Sequence, residues 1–375
     1  KIGDSHMGLR YKAAIVGLGR IATMIDDEVV NAGSPRHVLP MSHMGSYIDV
    51  REVDFVGGAD PYKEQRDAFA KKHGSINLYS DYRTMIEKER PDIVSICTSA
   101  RPRAEIVTTI ASMDAGVKAI WAEKPIALTL EDADRMVDVC KDSGIILAVN
   151  CARRWDAWYS KAREIIDSGE IGEVMQVTVY QVGNLSHNSH MINLARFLAG
   201  GNGQVKWVYG DLESDEIAQT DDDLGGISYL AFENGTRALV RQDKWKYSES
   251  EVIGSGGRIK IINDAQELEL WINSQTLGYE SQARHLFPRR QKIESATVRA
   301  VRDLIHCIET GDDPSSSGMD GRHDLEVAIA VRESHRLGGV KVALPISDRT
   351  KRINSYETLL SAEDLPRALQ KQRNS

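Results

Sequence analysis

Three short segments carry residue types that could bind a dinucleotide and move a proton. Gly17-Leu18-Gly19-Arg20-Ile21-Ala22 has the spacing GxGxxA. The first glycine of such a loop permits a tight turn, and the second lets the backbone approach a pyrophosphate. A small third residue lets the following helix pack on the preceding strand. The N–H groups that open that helix, from Arg20 and Ile21 onward, would face the phosphate charge. Asp60 ends the run VDFVGGAD, where a carboxylate can hold adenosine ribose hydroxyls. The plainer role for Asp60 is to open a turn with Pro61. A carboxylate repels a 2′-phosphate, so NAD is expected ahead of NADP, although Lys63 and Arg66 stand nearby. Glu123-Lys124-Pro125 follows an apolar run at 118–122. A lysine at a strand's carboxyl end can stabilise alkoxide character on a reacting oxygen.

These groups need a frame, and the first half of the chain supplies one. Short apolar runs at Tyr11–Val16, Val53–Ala59, Asp92–Thr98, Lys118–Ala122 and Ile145–Asn150 alternate with amphipathic stretches. That alternation predicts βαβ units and a doubly wound parallel sheet, a Rossmann domain over residues 8–150. Asp60 lies about forty residues after Gly19 where about twenty is usual. An insertion over 26–42, carrying His37, would account for the excess.

The second half begins with a helical pattern over 158–168, followed by Gly169 and Gly172. Strand-like runs then follow with few helices between them, from Val174–Val182 to Glu267–Ile272. This predicts an α+β substrate and oligomerisation domain over 151–347 with a large, mostly antiparallel open sheet. Helices are expected at Ala296–Thr310 and Gly321–Leu337. Residues 1–7 look like the remnant of an expression tag, and 348–375 like a polar tail, partly disordered.

Composition narrows the function classes. The 375 residues are 41% hydrophobic and 27% charged with a net charge of −8, as in an ordinary globular protein. That balance argues against nucleic-acid binding, which favours a basic face. No apolar run reaches the roughly 18 residues needed to span a bilayer. The four cysteines are dispersed without a CxxC pair, which argues against a metal site and suits buried thiols in a reducing cytoplasm.

Taken in order, Gly17–Ala22, Asp60, Glu123-Lys124-Pro125, Arg153-Arg154-Trp155, GEIGEV at 169–174, Phe232-Glu233-Asn234-Gly235 and IGSGG at 253–257 resemble the Gfo/Idh/MocA oxidoreductases, the family of glucose–fructose oxidoreductase and inositol dehydrogenase. The resemblance covers about residues 10–345. It implies an NAD(P)-dependent enzyme acting on CH–OH groups of sugars, cyclitols or related polyols, as a homodimer or homotetramer joined through the C-terminal sheet. Lys124 would then reach both substrate and nicotinamide.

The family's proton-transferring histidine sits in an Asp-x-Gly-x-His-x-x-Asp segment. Here that segment reads Ser186-His187-Asn188-Ser189-His190-Met191-Ile192-Asn193. His190 matches the histidine, whereas Ser186 and Asn193 replace both carboxylates and Asn188 replaces the glycine. Losing those anions removes charges that would hold a proton on the imidazole. Asn193 could still orient a ring or bind a substrate hydroxyl, and His187 could substitute in part.

The resemblance also implies cofactor contacts from Thr98, Ser99, Glu123 and Arg154. It places Asn150, Trp155, His187, His190 and Asn193 on the substrate side, and puts Arg103 where a histidine is usual. Arg154 could instead clamp the domain junction. Two rival functions remain at this stage: a glycosidase or lyase using transient oxidation, and a non-catalytic cofactor-binding protein.

Overall fold

The computed structural model describes residues 10–32, 38–74, 76–187, 189–243, 247–274, 281–287 and 294–354. Six parallel strands form the first sheet: β1 (Tyr11–Val16), β2 (Val53–Ala59), β3 (Leu78–Tyr79), β4 (Ile93–Ile96), β5 (Ala119–Ala122) and β6 (Ile146–Val149). Their order is β3-β2-β1-β4-β5-β6, so the chain reverses direction across the sheet between β1 and β4. Ligands bind at such a switch point, outside the carboxyl ends of the strands. β4 and β5 are buried at every position because helices cover both faces, which explains their unbroken apolar runs.

The second sheet has nine strands: β7 (Val174–Tyr180), β8 (Val205–Leu212), β9 (Gly226–Phe232), β10 (Arg237–Arg241), β11 (Glu249–Gly254), β12 (Gly257–Ile262), β13 (Glu267–Ser274), β14 (Ser281–Leu286) and β15 (Val342–Ala343). Their order is β14-β13-β12-β11-β7-β10-β9-β8-β15. Neighbours are antiparallel except β7 and β10, which run parallel. Alternation of buried and half-exposed residues along β10 and β12 marks a sheet with one covered face.

Three features depart from the sequence expectations. The segment expected as an insertion begins as a helix: a π turn at Arg20–Met24 runs into an α-helix at Ile25–Asn31. His37 lies outside the described residues. The helix Ala296–Thr310, expected with the second domain, packs on the first. Val298, Val301 and Leu304 share a core with Tyr11, Ile15, Tyr47 and Trp121, and Tyr11 donates to Glu309 at 3.0 Å. The start of the polar tail is docked rather than loose. Leu130 and Glu131 donate to the carbonyls of Lys351 and Arg349, Arg349 pairs with Asp134 and Glu326, and Ile353 is fully buried. Residues 355–375 lie outside the described residues.

Candidate active site

The glycine loop leaves β1 at Val16. Gly17 has φ +87° and donates to the carbonyl of Ala59 at 2.8 Å. A Cβ there would stand 2.9 Å from the Thr98 nitrogen, so both conformation and space require glycine. A Cβ on Gly19 would meet nothing within 4 Å. Gly19 caps the following helix, with no side chain bonded to the cap, and Thr98 Oγ1 is buried without a partner among the described residues. Open space before bare helix N–H groups, beside an unmatched hydroxyl, fits a dinucleotide's phosphates.

The other predicted cofactor residues take varied positions. Asp60 is buried, and its carboxylate accepts N–H bonds from Leu18 and Tyr62, both at 2.9 Å. It thus braces the glycine loop and opens the turn with Pro61. Burial raises its pKa against the pull of those N–H groups and of Arg66. Ile21 is half-buried on the opening helical turn, and Arg20 pairs with Glu28 at 2.7 Å. Ser99 caps the helix Ala100–Ser112 without a side-chain bond. Buried Arg103 donates to the carbonyls of Thr98 and Pro125, tying the turn after β4 to the turn after β5.

Glu123 follows β5 and is buried. Its Oε1 accepts from Asn150 Nδ2 at 2.6 Å and faces His43 Nε2 at 3.2 Å. Its Oε2 accepts the Lys124 N–H at 3.2 Å. Burial opposes ionisation, but the His43 bond and charge, then Lys124 and the Asn150 amide, draw the carboxyl down to about 2. Asn150 Oδ1 is buried without a partner among the described residues. Lys124 reaches away from this group, and its Nζ donates to the carbonyl of His187 at 2.8 Å.

The turn that meets Lys124 belongs to the second domain. Ser186 and His187 donate their N–H groups to Asp223, at 3.0 and 2.6 Å. Burial pushes the Asp223 carboxyl up to about 7, against the pull of those N–H groups, Arg332 and Lys124. His187 is brought down to about 4, first by burial and then by Lys124, against the pull of Glu123. His190 opens the helix His190–Leu198, and its Nδ1 is buried without a partner among the described residues. Burial, then Arg153 and Lys124, hold its pKa well below the ordinary imidazole value. The unmatched nitrogen of this neutral ring can accept a hydrogen bond from a hydroxyl.

Three expected site residues turn out to be engaged within the protein. Trp155 is buried in the core, edge-on to Trp121 at 6.5 Å, and its Nε1 donates to Asp303 at 2.8 Å. Its indole is thus held within the protein. Asn193 is buried, its Oδ1 accepting from Arg154 at 2.9 Å and its Nδ2 donating to Asp324 at 2.7 Å. Its amide thus has a partner at each end, with one N–H and one oxygen lone pair beyond these two bonds. Arg154 also pairs with Asp320 at 3.0 Å and donates to the Ser315 carbonyl, so it joins the entry to the second domain to the start of the helix Gly318–Arg336. Asp324 further binds Arg196 at 2.6 Å.

Sequence reasoning did not single out His43 or the carboxylate of Asp223. The pattern Ser42-His43 at a helix start was a signal available for the first, and nothing local marks the second. Asp324 stands out in sequence only as part of the polar pair His323-Asp324, a possible sugar contact, and the structure shows it bonded to Asn193 and Arg196. Among the described residues no cluster of side chains could hold a metal ion, and no helix is long and apolar enough to cross a membrane.

Residues 11–151 match the family model described as an oxidoreductase family with an NAD-binding Rossmann fold, and residues 179–344 its C-terminal α/β domain. Myo-inositol 2-dehydrogenase of Thermotoga maritima is 26% identical over 352 residues, spanning 86% of this chain and 96% of that protein. D-Apiose dehydrogenase of Paraburkholderia graminis is 26% identical, spanning 88% of each. An oxidoreductase from Agrobacterium radiobacter, solved with NAD+, L-tartaric acid and magnesium, shares the fold with a TM-score of 0.71 at 18% identity, covering 89% of this chain and 98% of that one. Levoglucosan dehydrogenase with NADH and levoglucosan gives a TM-score of 0.70 at 20% identity, covering 90% and 100%. The glycine loop and the two sheets thus belong to a member of the Gfo/Idh/MocA oxidoreductase family, with an NAD-binding Rossmann domain and the family's C-terminal α/β domain.

Proposed function

We propose that this protein is a dehydrogenase for a hydroxyl-bearing carbon of a sugar, cyclitol or related polyol. The observation that carries this reading is the Lys124 ammonium from the end of β5 meeting the turn that bears His187 and His190. When bound, NAD supplies the hydride acceptor. Lys124 then exchanges its bond to the His187 carbonyl for one to the substrate oxygen and stabilises the charge developing there. His190, neutral and unmatched at Nδ1, takes the hydroxyl proton. The imidazole of His187 and the unpartnered side-chain Oδ1 of Asn150 would offer hydrogen bonds to neighbouring hydroxyls. The dehydrogenases of inositol and apiose among the relatives support a polyhydroxy substrate.

Self-association fits the outer face of the nine-stranded sheet, where Tyr209, Tyr229 and Met175 are exposed; light scattering in solution tests it.

A panel of sugars and cyclitols with NAD and NADP, followed by reduced-cofactor absorbance, tests the function. Stoichiometric NADH with one substrate group supports it. Substrate consumption without net NADH would instead indicate bond cleavage through transient oxidation. Tight NAD binding with no turnover would indicate a non-catalytic binding protein.

A further inference from the structure

His43 takes no part in the chemistry above, yet its ring is fully buried (0% exposed) against the Glu-Lys-Pro turn. It lies on the Trp121 indole with ring centroids 3.8 Å apart. Nδ1 is 2.8 Å from Ser95 Oγ, and Ser95 Oγ is 2.6 Å from the Tyr47 hydroxyl. Nε2 faces Glu123 Oε1 at 3.2 Å.

Ser95 Oγ and the Tyr47 hydroxyl continue the hydrogen-bonded chain from Nδ1. A carboxylate only accepts, so Nε2 carries a proton and donates to Glu123 Oε1. Asn150 Nδ2, 3.5 Å from His43 Nε2, is the second donor to the same oxygen.

The imidazole is also held from behind. His43 is the first residue of the helix His43–Asp49, and the Ser42 side chain caps that helix through the Gly45 N–H. Asp26, on the helix that leaves the glycine loop, accepts the N–H groups of Met41 at 2.6 Å and Ser42 at 3.0 Å. It also accepts from the Ser42 hydroxyl. Packing alone would need no polar ring here, since an apolar side chain of similar size fills such a space without burying polar atoms.

We infer that His43 is a positioning residue: it locks the Glu123 carboxylate, which in turn holds the Lys124 peptide so that the ammonium meets the oxygen being oxidised. The link onward is the Lys124 N–H bond to Glu123 Oε2. The inference rests on the role proposed above for Lys124.

The test uses His43→Leu, which keeps bulk, and His43→Gln, which keeps a donor toward Glu123. Thermal midpoint, NAD affinity, kcat, KM and the pH profile of kcat are measured on the full chain, with a polyol that the wild type oxidises. His43→Leu should lose about 10- to 100-fold in kcat while NAD affinity stays within about twofold. His43→Gln should regain at least about fivefold of that loss. An acidic limb should appear in the His43→Leu profile at about pH 4–6, as Glu123 returns toward the ordinary carboxyl range. The other titrating groups that face Glu123 are Lys124, Cys97, His187 and His190. A folded His43→Leu with wild-type kcat, or Leu and Gln variants of equal kcat, overturns the inference.

If the wild type oxidises no polyol, the proposed function fails separately. The ¹³C resonance of dimethylated Lys124 then reads the positioning role without turnover. A shift in His43→Leu that His43→Gln partly reverses supports it, and an unmoved resonance overturns it.

Discussion

Lys124 Nζ donates to the main-chain carbonyl of His187 at 2.8 Å, and the N–H of the same residue donates to Asp223 at 2.6 Å. One residue of the second domain is thereby held between a cation of the first and a buried carboxylate of its own. The turn that carries both histidines is fixed relative to the end of β5 before any ligand arrives. Within the second domain Arg154 holds Asn193, one turn into the helix that His190 opens. The cleft is therefore organised by polar contacts across the domain junction as well as by apolar packing.

Removing the lysine or the histidine should separate chemistry from cofactor binding. Lys124→Met and His190→Ala should each lower kcat by about 10²-fold or more. NAD affinity, read by protein fluorescence, should change little. Wild-type turnover in either variant would remove that residue from the mechanism.

The two loop glycines should fail differently. Gly17→Ala places a Cβ 2.9 Å from the Thr98 nitrogen at φ +87°, and should lower stability by about 1–3 kcal/mol along with NAD binding. Gly19→Ala meets no protein atom within 4 Å, so its thermal midpoint should hold. Its Cβ would still intrude where the pyrophosphate approaches, and NAD affinity should fall at least about tenfold. Calorimetry with and without NAD distinguishes the two, and unchanged NAD affinity in Gly19→Ala would exclude the loop as the phosphate site.

His323 should make stability fall as the solution is acidified. Burial, then Arg196 and Arg322, bring its pKa down to about 3, and its Nδ1 faces Arg196 and Gln204 at 3.3 Å. The unfolded chain takes up this proton near pH 6.5, whereas the folded chain resists it. The stabilisation is complete above pH 6.5 and is lost as pH falls toward 3. Between pH 7 and 4.5 a loss of about 1–2 kcal/mol is expected, after allowance for solvent screening. Urea unfolding of His323→Asn should show a flatter slope over that interval, and an identical slope would refute the assignment.

Asp324 holds the inner end of the histidine-bearing helix. It is almost fully buried with Arg196, whose other carboxylate, Asp320, lies farther away at 3.3 Å. Asp324→Asn should cost about 3 kcal/mol, since a buried guanidinium loses its main counter-charge. It also removes an acceptor from Asn193 and should lower kcat through His190. Chemical denaturation reads the first effect and steady-state kinetics the second.

What was legible in the sequence had a local signature. GxGxxA after an apolar run placed the phosphate loop, and the alternation of runs placed β1, β2 and β4–β6. The two-residue strands β3 and β15 are too short to show a period. The resemblance to a known family pointed to Lys124, His190, Trp155 and Asn193, and the structure shows the side chains of the last two bonded within the protein. Residue type and position alone do not reveal that an indole or an amide is already matched. The two carboxylates absent at Ser186 and Asn193 drew attention to a loss. The fold supplies other anions close by: Asp223 beneath the turn and Asp324 beside Asn193.

The sequence by itself determined the order of elements, the cofactor loop and the placement of a lysine at a strand's carboxyl end. Spacing and hydrophobic period along one dimension are enough for these. Only the tertiary structure decided how those groups are held. His43 meets Glu123 across 80 residues, His187 meets Asp223 across 36, and Asn193 meets Asp324 across 131. Contacts at such separations leave no local pattern, because each depends on two helices or loops being brought together by the packing of the sheets beneath them.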